Sequence, residues 1–189
     1  MQDIFHITVS HSRYDSRIFE RICKSLSKYK LKIRLIVFDG LGYEEKENIK
    51  IIDLGVSNIS FLKIFINHIK IFMALRNKNS ILHFHEPILL PIALLLKQCG
   101  NKVIFDMHEN LHLQIMIKDW PFPKYLKKII SIFYRKTEDL LLKGVDGLIV
   151  AQPIMINMYK NHNKNIISIE NFYLSENEKN NNLNNILMK

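Results

Sequence analysis

Apolar and polar positions change rhythm repeatedly along this chain. Short β-branched runs give way to stretches whose apolar side chains recur at helical spacing. The runs predict strands at Ile4–Ser10, Leu31–Phe38, Ile49–Leu54, Ile81–Phe84, Lys102–Met107, Gly147–Val150 and Asn165–Ile169. Helices are predicted between them, the first over Ser16–Lys30, where Ile18, Phe19, Ile22 and Leu26 share a face. The others cover Asn58–Asn77, Pro87–Cys99, Pro123–Lys143 and Pro153–Tyr159. Asp15 or Ser16 can cap the first, and proline stands at or near three starts, where its missing N–H does no harm. Alternation of this kind implies right-handed crossovers and an α/β, Rossmann-like three-layer sandwich with a mainly parallel sheet. No internal repeat interrupts it. From Asn171 the pattern collapses, and Glu176–Asn185 is mostly Asn, Glu and Lys. One domain is therefore expected over residues 1–172, and a polar, mobile tail over 173–189 in which Leu183–Met188 can form a turn or two of helix.

Three polar segments lie where predicted strands end: His11–Arg17, His83–Pro87 and Asp106–Glu109. In open α/β sheets the carboxyl ends of strands share one rim, where ligands bind. These distant segments are expected to meet there as a polar crevice. The first occupies the place of a glycine-rich phosphate turn but contains no glycine, which disfavours dinucleotide binding. Arg13 and Arg17 can each grip a phosphate or carboxylate through paired hydrogen bonds; alternatively, an Asp15–Arg17 ion pair ties the loop down. His83 and His85 alternate, so a regular strand puts them on one face. No cysteine joins them and no His-x-x-x-His turn accompanies them, so no metal ligand is assigned. His108 is placed to act as a base or to hydrogen-bond a sugar or phosphate oxygen, with Asp106 two residues earlier to orient it.

Composition narrows the classes. The chain has 189 residues, enough for one well-buried domain. Its 27 basic and 18 acidic side chains leave a charge of +9, which favours an anionic partner. Cys23 and Cys99 fall in predicted helices and read as buried thiols of a reducing compartment rather than a disulfide. Residues 1–10 do not resemble a signal peptide, and no run of 18 apolar residues occurs. Two helical segments carry more than a domain needs. Residues 59–75 are apolar over a wider arc than the roughly 100° of an ordinary surface helix, so the excess must meet a partner, a lipid interface or deeper burial. Residues 122–143 carry six basic side chains against Glu138 and Asp139, interleaved with Phe, Tyr and Ile. That pattern suits an anionic membrane surface as well as a solvated face.

The three segments together resemble a bacterial subgroup of family 4 glycosyltransferases. His11, Asp15, Arg17, Ile18 and Phe19 reproduce its His-x-x-x-Asp-x-Arg-Ile-Phe opening. His83-Phe84-His85-Glu86-Pro87-Ile88-Leu89-Leu90-Pro91 is similar to its His-x-His-Asp-Pro-Glu-Leu-Leu-Pro, and Val103–Glu109 to its Val-Ile-Tyr-Asp-Val-His-Glu. The resemblance implies the N-terminal, acceptor-side half of the two-domain GT-B architecture. It implies hexosyl transfer, of the retaining type, from a nucleotide-diphosphate sugar to a lipid-linked or saccharide acceptor in surface polysaccharide biosynthesis. Neither a cofactor nor a metal is implied, and nucleic acid has no role. His108 would be the catalytic histidine facing the donor sugar. His11, Arg13, Asp15, Arg17, His85, Glu86 and Glu109 would line the substrate and acceptor side. The protein would be cytoplasmic, peripheral on the inner face of the cell membrane.

Departures from that pattern carry their own expectations. Ser12 replaces Pro, Glu86 replaces Asp, and Ile88 replaces Glu. The family's donor-binding domain with its Glu-x7-Glu motif has no counterpart; Glu170 and Glu178 have the spacing but lie in the polar tail. The chain is therefore expected to need a donor-binding domain or subunit and to turn over little by itself. The other two readings are a non-catalytic module that docks a partner or membrane, and a metal-dependent hydrolase using His83, His85 and His108.

Overall fold

A computed structural model describes residues 2–56, 61–108, 110–117, 119 and 121–170. Eight strands form one sheet: β1 (Ile4–Ile7), β2 (Ile33–Val37), β3 (Glu44–Lys46), β4 (Ile49–Asp53), β5 (Ile81–Phe84), β6 (Lys102–Met107), β7 (Gly147–Val150) and β8 (Ile166–Ser168). Their order is β3-β4-β2-β1-β5-β6-β7-β8, and every pair is parallel except β3 with β4. The α/β, mainly parallel sheet expected from the alternation is thus present. Strands β5, β6 and β7 fall on the predicted residues, because β-branched runs buried on both faces leave little freedom of register. The tail from residue 173 lies outside the described residues.

The helices are α1 (Lys24–Ser27), preceded by a π-helical turn over Ile18–Cys23, α2 (Phe61–Leu75), α3 (Leu90–Gln98), α4 (Leu111–Ile117), α5 (Lys124–Leu142) and α6 (Pro153–Tyr159). A 3₁₀ turn at Pro87–Leu89 leads into α3. The chain runs from β1 outward to β2 and then returns past β1 to β5. Right-handed crossovers therefore place the first helix on one face and the later ones on the other. Two cores result. Ile18, Phe19 and Cys23 pack on Ile33, Leu35, Val37, Ile49 and Ile51. The larger core joins Leu82, Phe84, Val103, Phe105, Leu148 and Val150 to Ile71, Leu75, Ala93, Leu96, Leu142 and Tyr159.

Three local features differ from the sequence expectation. Strand β3 was not predicted, since Glu-Glu-Lys is poor strand material. It forms because Glu47 and Asn48, at φ 52° and 62°, make a tight turn that folds Lys46 back onto Ile49. Helix α4 was also not predicted. Cys99 is exposed rather than buried, because α3 ends there ahead of Gly100 at φ +88°.

Asp15 supplies the start of the first helix. Its Oδ1 accepts hydrogen bonds from the backbone N–H of Arg17 and Ile18, both at 2.9 Å. Asp15→Ala should therefore cost about 1 kcal/mol, within the 0.5–2 kcal/mol range of cap removal. A urea midpoint unchanged by this substitution would show that the packing of Ile18 and Phe19 alone sets the helix start.

Candidate active site

The sheet reverses its order at β1 and β5, and the carboxyl ends of these strands bound the crevice that such a switch point leaves. Three loops leave this rim. The loop after β1 carries His11 to Arg17, β5 runs into His85 and Glu86, and β6 ends at Met107 before His108. Together they line a cavity of ≈ 430 Å³ with His11, Arg17, His85, Glu86, Met107 and His108 in its wall. The ring centroids of His11 and His108 are 6.0 Å apart, and those of His85 and His108 are 5.8 Å apart. Residues as far apart in sequence as His11 and His108 thus share one site.

Glu86 organises the first loop. Its Oε1 accepts from the Thr8 and Ser10 hydroxyls, the latter at 2.8 Å, and from the backbone N–H of Val9 and Ser10 at 3.2 and 3.1 Å. A carboxylate with so many donors fixes the strand-to-loop turn and leaves His11 Nε2 3.9 Å away. His11 Nδ1 in turn lies 3.3 Å from Asp15 Oδ2.

Asp106 is fully buried at the floor and organises the rest. Arg17 Nη2 donates to its Oδ1 at 2.6 Å. Its Oδ2 faces His85 Nδ1 at 3.4 Å, His108 Nε2 at 3.6 Å and His83 Nε2 at 4.0 Å. Behind them His6 Nδ1 and His85 Nε2 are 3.2 Å apart, in hydrogen-bond contact. His6 and His83 are direct cross-strand partners, and β1 and β5 bring them together by register alone. Burial disfavours charge on these rings: His83 is pushed down to about 3, His108 to about 4, and His6 well below its ordinary value. Asp106 is held below the usual carboxylate range by hydrogen bonding to His85 and by the nearby histidines, which outweigh its own desolvation.

The sign of the pH dependence follows. Unfolded histidines take up protons below about pH 6.5, whereas folded His83 and His108 resist until about 3 and 4. The unfolded state then binds more protons, so stability is full above pH 6.5 and falls on acidification towards pH 4. Each resisting histidine adds a slope of up to about 1.4 kcal/mol per pH unit. Urea unfolding in metal-free buffer between pH 7 and 4.5 measures it. A flat profile would mean that these rings charge freely in the folded chain.

Not every expected residue faces the cavity. Arg13 turns away and clamps the β2–β3 loop, with Nε and Nη2 on Asp39 at 2.8 Å each and Nη1 on Glu44 at 2.8 Å. It is a loop-fixing residue, because two carboxylates outcompete the solvent-filled crevice for its guanidinium. Asp15 serves as cap and as partner to His11. Arg17 lines the cavity, but its charge is matched by Asp106 and not, as an Asp15–Arg17 pair would require, by Asp15. Glu109 lies outside the described residues. Sequence reading missed His6, whose only signal was its alternation with Ile4 and Thr8. It also missed Glu138, counted only as a negative charge on a basic helix. Glu138 lines the cavity from α5. It accepts from Tyr134 at 3.0 Å and Tyr159 at 3.3 Å, and burial raises its pKa.

The site offers a neutral imidazole at His108, the His11 ring between the Asp15 and Glu86 carboxylates, and polar walls able to orient hydroxyl groups. No family model and no curated protein matches the chain. Its structure is similar to a sucrose-phosphate synthase (tll1590) from Thermosynechococcus elongatus, with TM-score 0.57 and 12% identity over all of both chains. It is also similar to a glycosyltransferase from Rickettsia africae ESF-5, with TM-score 0.55 and 14% identity; the chain is covered completely and spans 50% of that protein. At such identities the likeness concerns architecture. The chain has the α/β fold of these glycosyltransferase structures, the GT-B type of Rossmann-like sheet.

Proposed function

We propose that this chain is the acceptor-side half of a glycosyltransferase that uses a nucleotide-diphosphate sugar. One observation carries the reading: His11, His85, Glu86 and His108 converge on a single cavity at the sheet's switch point, in the fold that two glycosyltransferase structures share. His108 faces the sugar as catalytic histidine, and His11, Arg17, His85 and Glu86 shape the polar wall. Glu109 belongs with them by its place after His108. A neutral His108 suits transfer at neutral pH, since it can accept a proton or a hydrogen bond from an acceptor hydroxyl. Stabilising the charge that develops needs preorganised groups on both sides of a closed cleft. The opposite side would come from a donor-binding domain or subunit, and the chain alone should turn over little. The acceptor is a lipid-linked saccharide of the kind used in surface polysaccharide assembly.

Native mass spectrometry with a panel of polyprenyl-linked saccharides tests acceptor binding, and nucleotide-sugar turnover is then followed with and without a donor-binding subunit. Binding to at least one acceptor, with transfer only when the second subunit is present, supports the proposal. Binding to none of them overturns it. In the two-subunit assay His108→Ala should lower kcat on the order of 10²-fold while leaving the fold intact by circular dichroism. Unimpaired turnover would remove His108 from the chemistry.

A second reading, peripheral membrane attachment on the cytoplasmic side, is favoured by surface apolar residues. Phe65 on α2 is 61% exposed and Phe133 on α5 is 73% exposed. Ile69, Met73, Tyr125, Ile129 and Ile132 are exposed beside them, with Lys124 and Lys128 on α5. No helix among the described residues is long and apolar enough to cross a membrane. Liposome flotation on anionic vesicles, repeated with Lys124→Glu/Lys128→Glu, separates the readings. Binding lost on charge reversal supports attachment, and no binding by the unaltered chain removes it.

A further inference from the structure

We propose that the groove between α2 and α3 holds the apolar chain of an amphiphile whose hydroxyl-bearing head lies in the His108 cavity. This deepens the acceptor reading above and rests on it only for the identity of the head.

The groove is the first observation. It encloses ≈ 470 Å³ and is walled by Ile64, Phe65, Ile69 and Phe72 of α2 and by Ile92 and Leu95 of α3. Spaces of this size take small-molecule ligands. Phe65, Ile69 and Leu95 are 61%, 47% and 58% exposed, and an apolar patch of this kind on a monomer marks a binding surface. Among the described residues, His68 is the one polar side chain in the lining. Its Nδ1 lies 2.7 Å from the Ile64 carbonyl oxygen and its Nε2 2.9 Å from that of Ile88. Both nitrogens are thus engaged by backbone, and the ring ties α2 to the turn that leads into α3. The walls are fixed before any ligand arrives.

Continuity is the second. A smaller space of ≈ 160 Å³, with Ser10, Asn67 and Ile88 in its wall, shares Ile64 and His68 with the groove. It shares Glu86 with the His108 cavity. Apolar groove, mixed neck and polar cavity therefore follow one another from α2 to the end of β5. A helix, about 10–12 Å across, is too thick for such a neck, whereas an unbranched chain threads it. That order of polarity fits an alkyl or prenyl chain joined to a sugar, and it does not fit a docked peptide helix.

The third is an acceptor left open where the neck meets the cavity. Glu86 is 8% exposed, and its Oε1 takes the donors of the loop after β1. Its Oε2 is buried and has no hydrogen bond. Buried polar atoms are nearly always paired, so this oxygen calls for a donor from a ligand. A sugar hydroxyl supplies one. The saccharide then continues toward His11, whose Nε2 is 3.9 Å from the same carboxylate.

The test titrates the full chain with alkyl glucosides from hexyl to decyl, each below its micelle concentration, and follows methyl signals by NMR. Affinity should rise with chain length, by up to about 4-fold for each methylene buried, and the Ile69, Ile92 and Leu95 signals should shift. Ile69→Gln/Leu95→Gln should flatten the length dependence, and both positions are exposed enough to accept the change. Met73→Gln, exposed on α2 but outside the groove lining, should bind as the unaltered chain does. Affinity independent of length, or a length dependence unchanged in the double variant, would overturn the groove. Shifts that appear only when vesicles are added would also overturn it, and would make α2 a bilayer surface. If the length dependence is absent while polyprenyl-linked saccharides still bind, the groove falls and the transferase reading stands. If it is present while none of those saccharides binds, the groove stands and the transferase reading falls.

Discussion

Asp106→Asn is expected to lower stability by about 3–5 kcal/mol, the cost of leaving one member of a buried ion pair without its partner. Asp106 is inaccessible to solvent and Arg17 is 8% exposed, so water cannot replace the lost carboxylate. No surrounding group replaces it: His6, His83 and His108 are kept uncharged by burial, and an imidazole carries no negative charge to offer Arg17. At about 2–4 °C per kcal/mol for a domain of this size, the melting temperature should fall by roughly 10 °C or more. Thermal and urea unfolding measure both numbers. The double variant Arg17→Met/Asp106→Asn should recover part of the loss, since removing both charges costs less than stranding one. A loss under about 1 kcal/mol for Asp106→Asn would mean that the pair behaves as an exposed one, and that the floor of the cavity is wet.

Phe84→Ala is expected to cost a similar amount, about 3–5 kcal/mol, through the cavity left in the larger core. Phe84 is 0% exposed on β5 and belongs to the core that joins the sheet to α2, α3, α5 and α6. Its neighbours Leu82, Val103 and Phe105 are backbone-fixed in strands, so the hole cannot readily collapse. The next residues in the chain are His85 and Glu86. The substitution should therefore also loosen the cavity wall, seen as faster amide exchange at Ser10 and His11, whose loop Glu86 holds. A cost below about 1 kcal/mol would show that this face is loosely packed.

The two substitutions separate what is local from what is assembled. Phe84 was legible as a strand residue, because it closes the short apolar run from Ile81 that the sequence pattern predicts as a strand. Val103–Phe105 and the proline-led starts of α3 and α6 were legible too. His108 and Glu86 were legible as polar residues just past strand ends, a place where parallel sheets gather ligands. Arg13 and Arg17 could not be told apart in that way. They share a loop and a chemistry, yet one is taken by Asp39 and Glu44 and the other by Asp106. The choice depends on which carboxylates the turns after β2 and β6 bring within reach, and spacing along the chain carries no such information. His6 and Glu138 stayed hidden for a related reason. A lone histidine in a strand and a lone glutamate on a basic helix gain meaning only from their neighbours across the sheet and the helix layer.

By itself the sequence determined the alternation of strands and helices, the α/β class and the three rim segments, because side-chain periodicity and strand-end position are local properties. Only the tertiary structure decided which of those polar groups pair with one another and which are left facing the cavity. Those pairings are settled by distances across β1, β5 and β6, where burial makes every unpaired charge or lone pair costly.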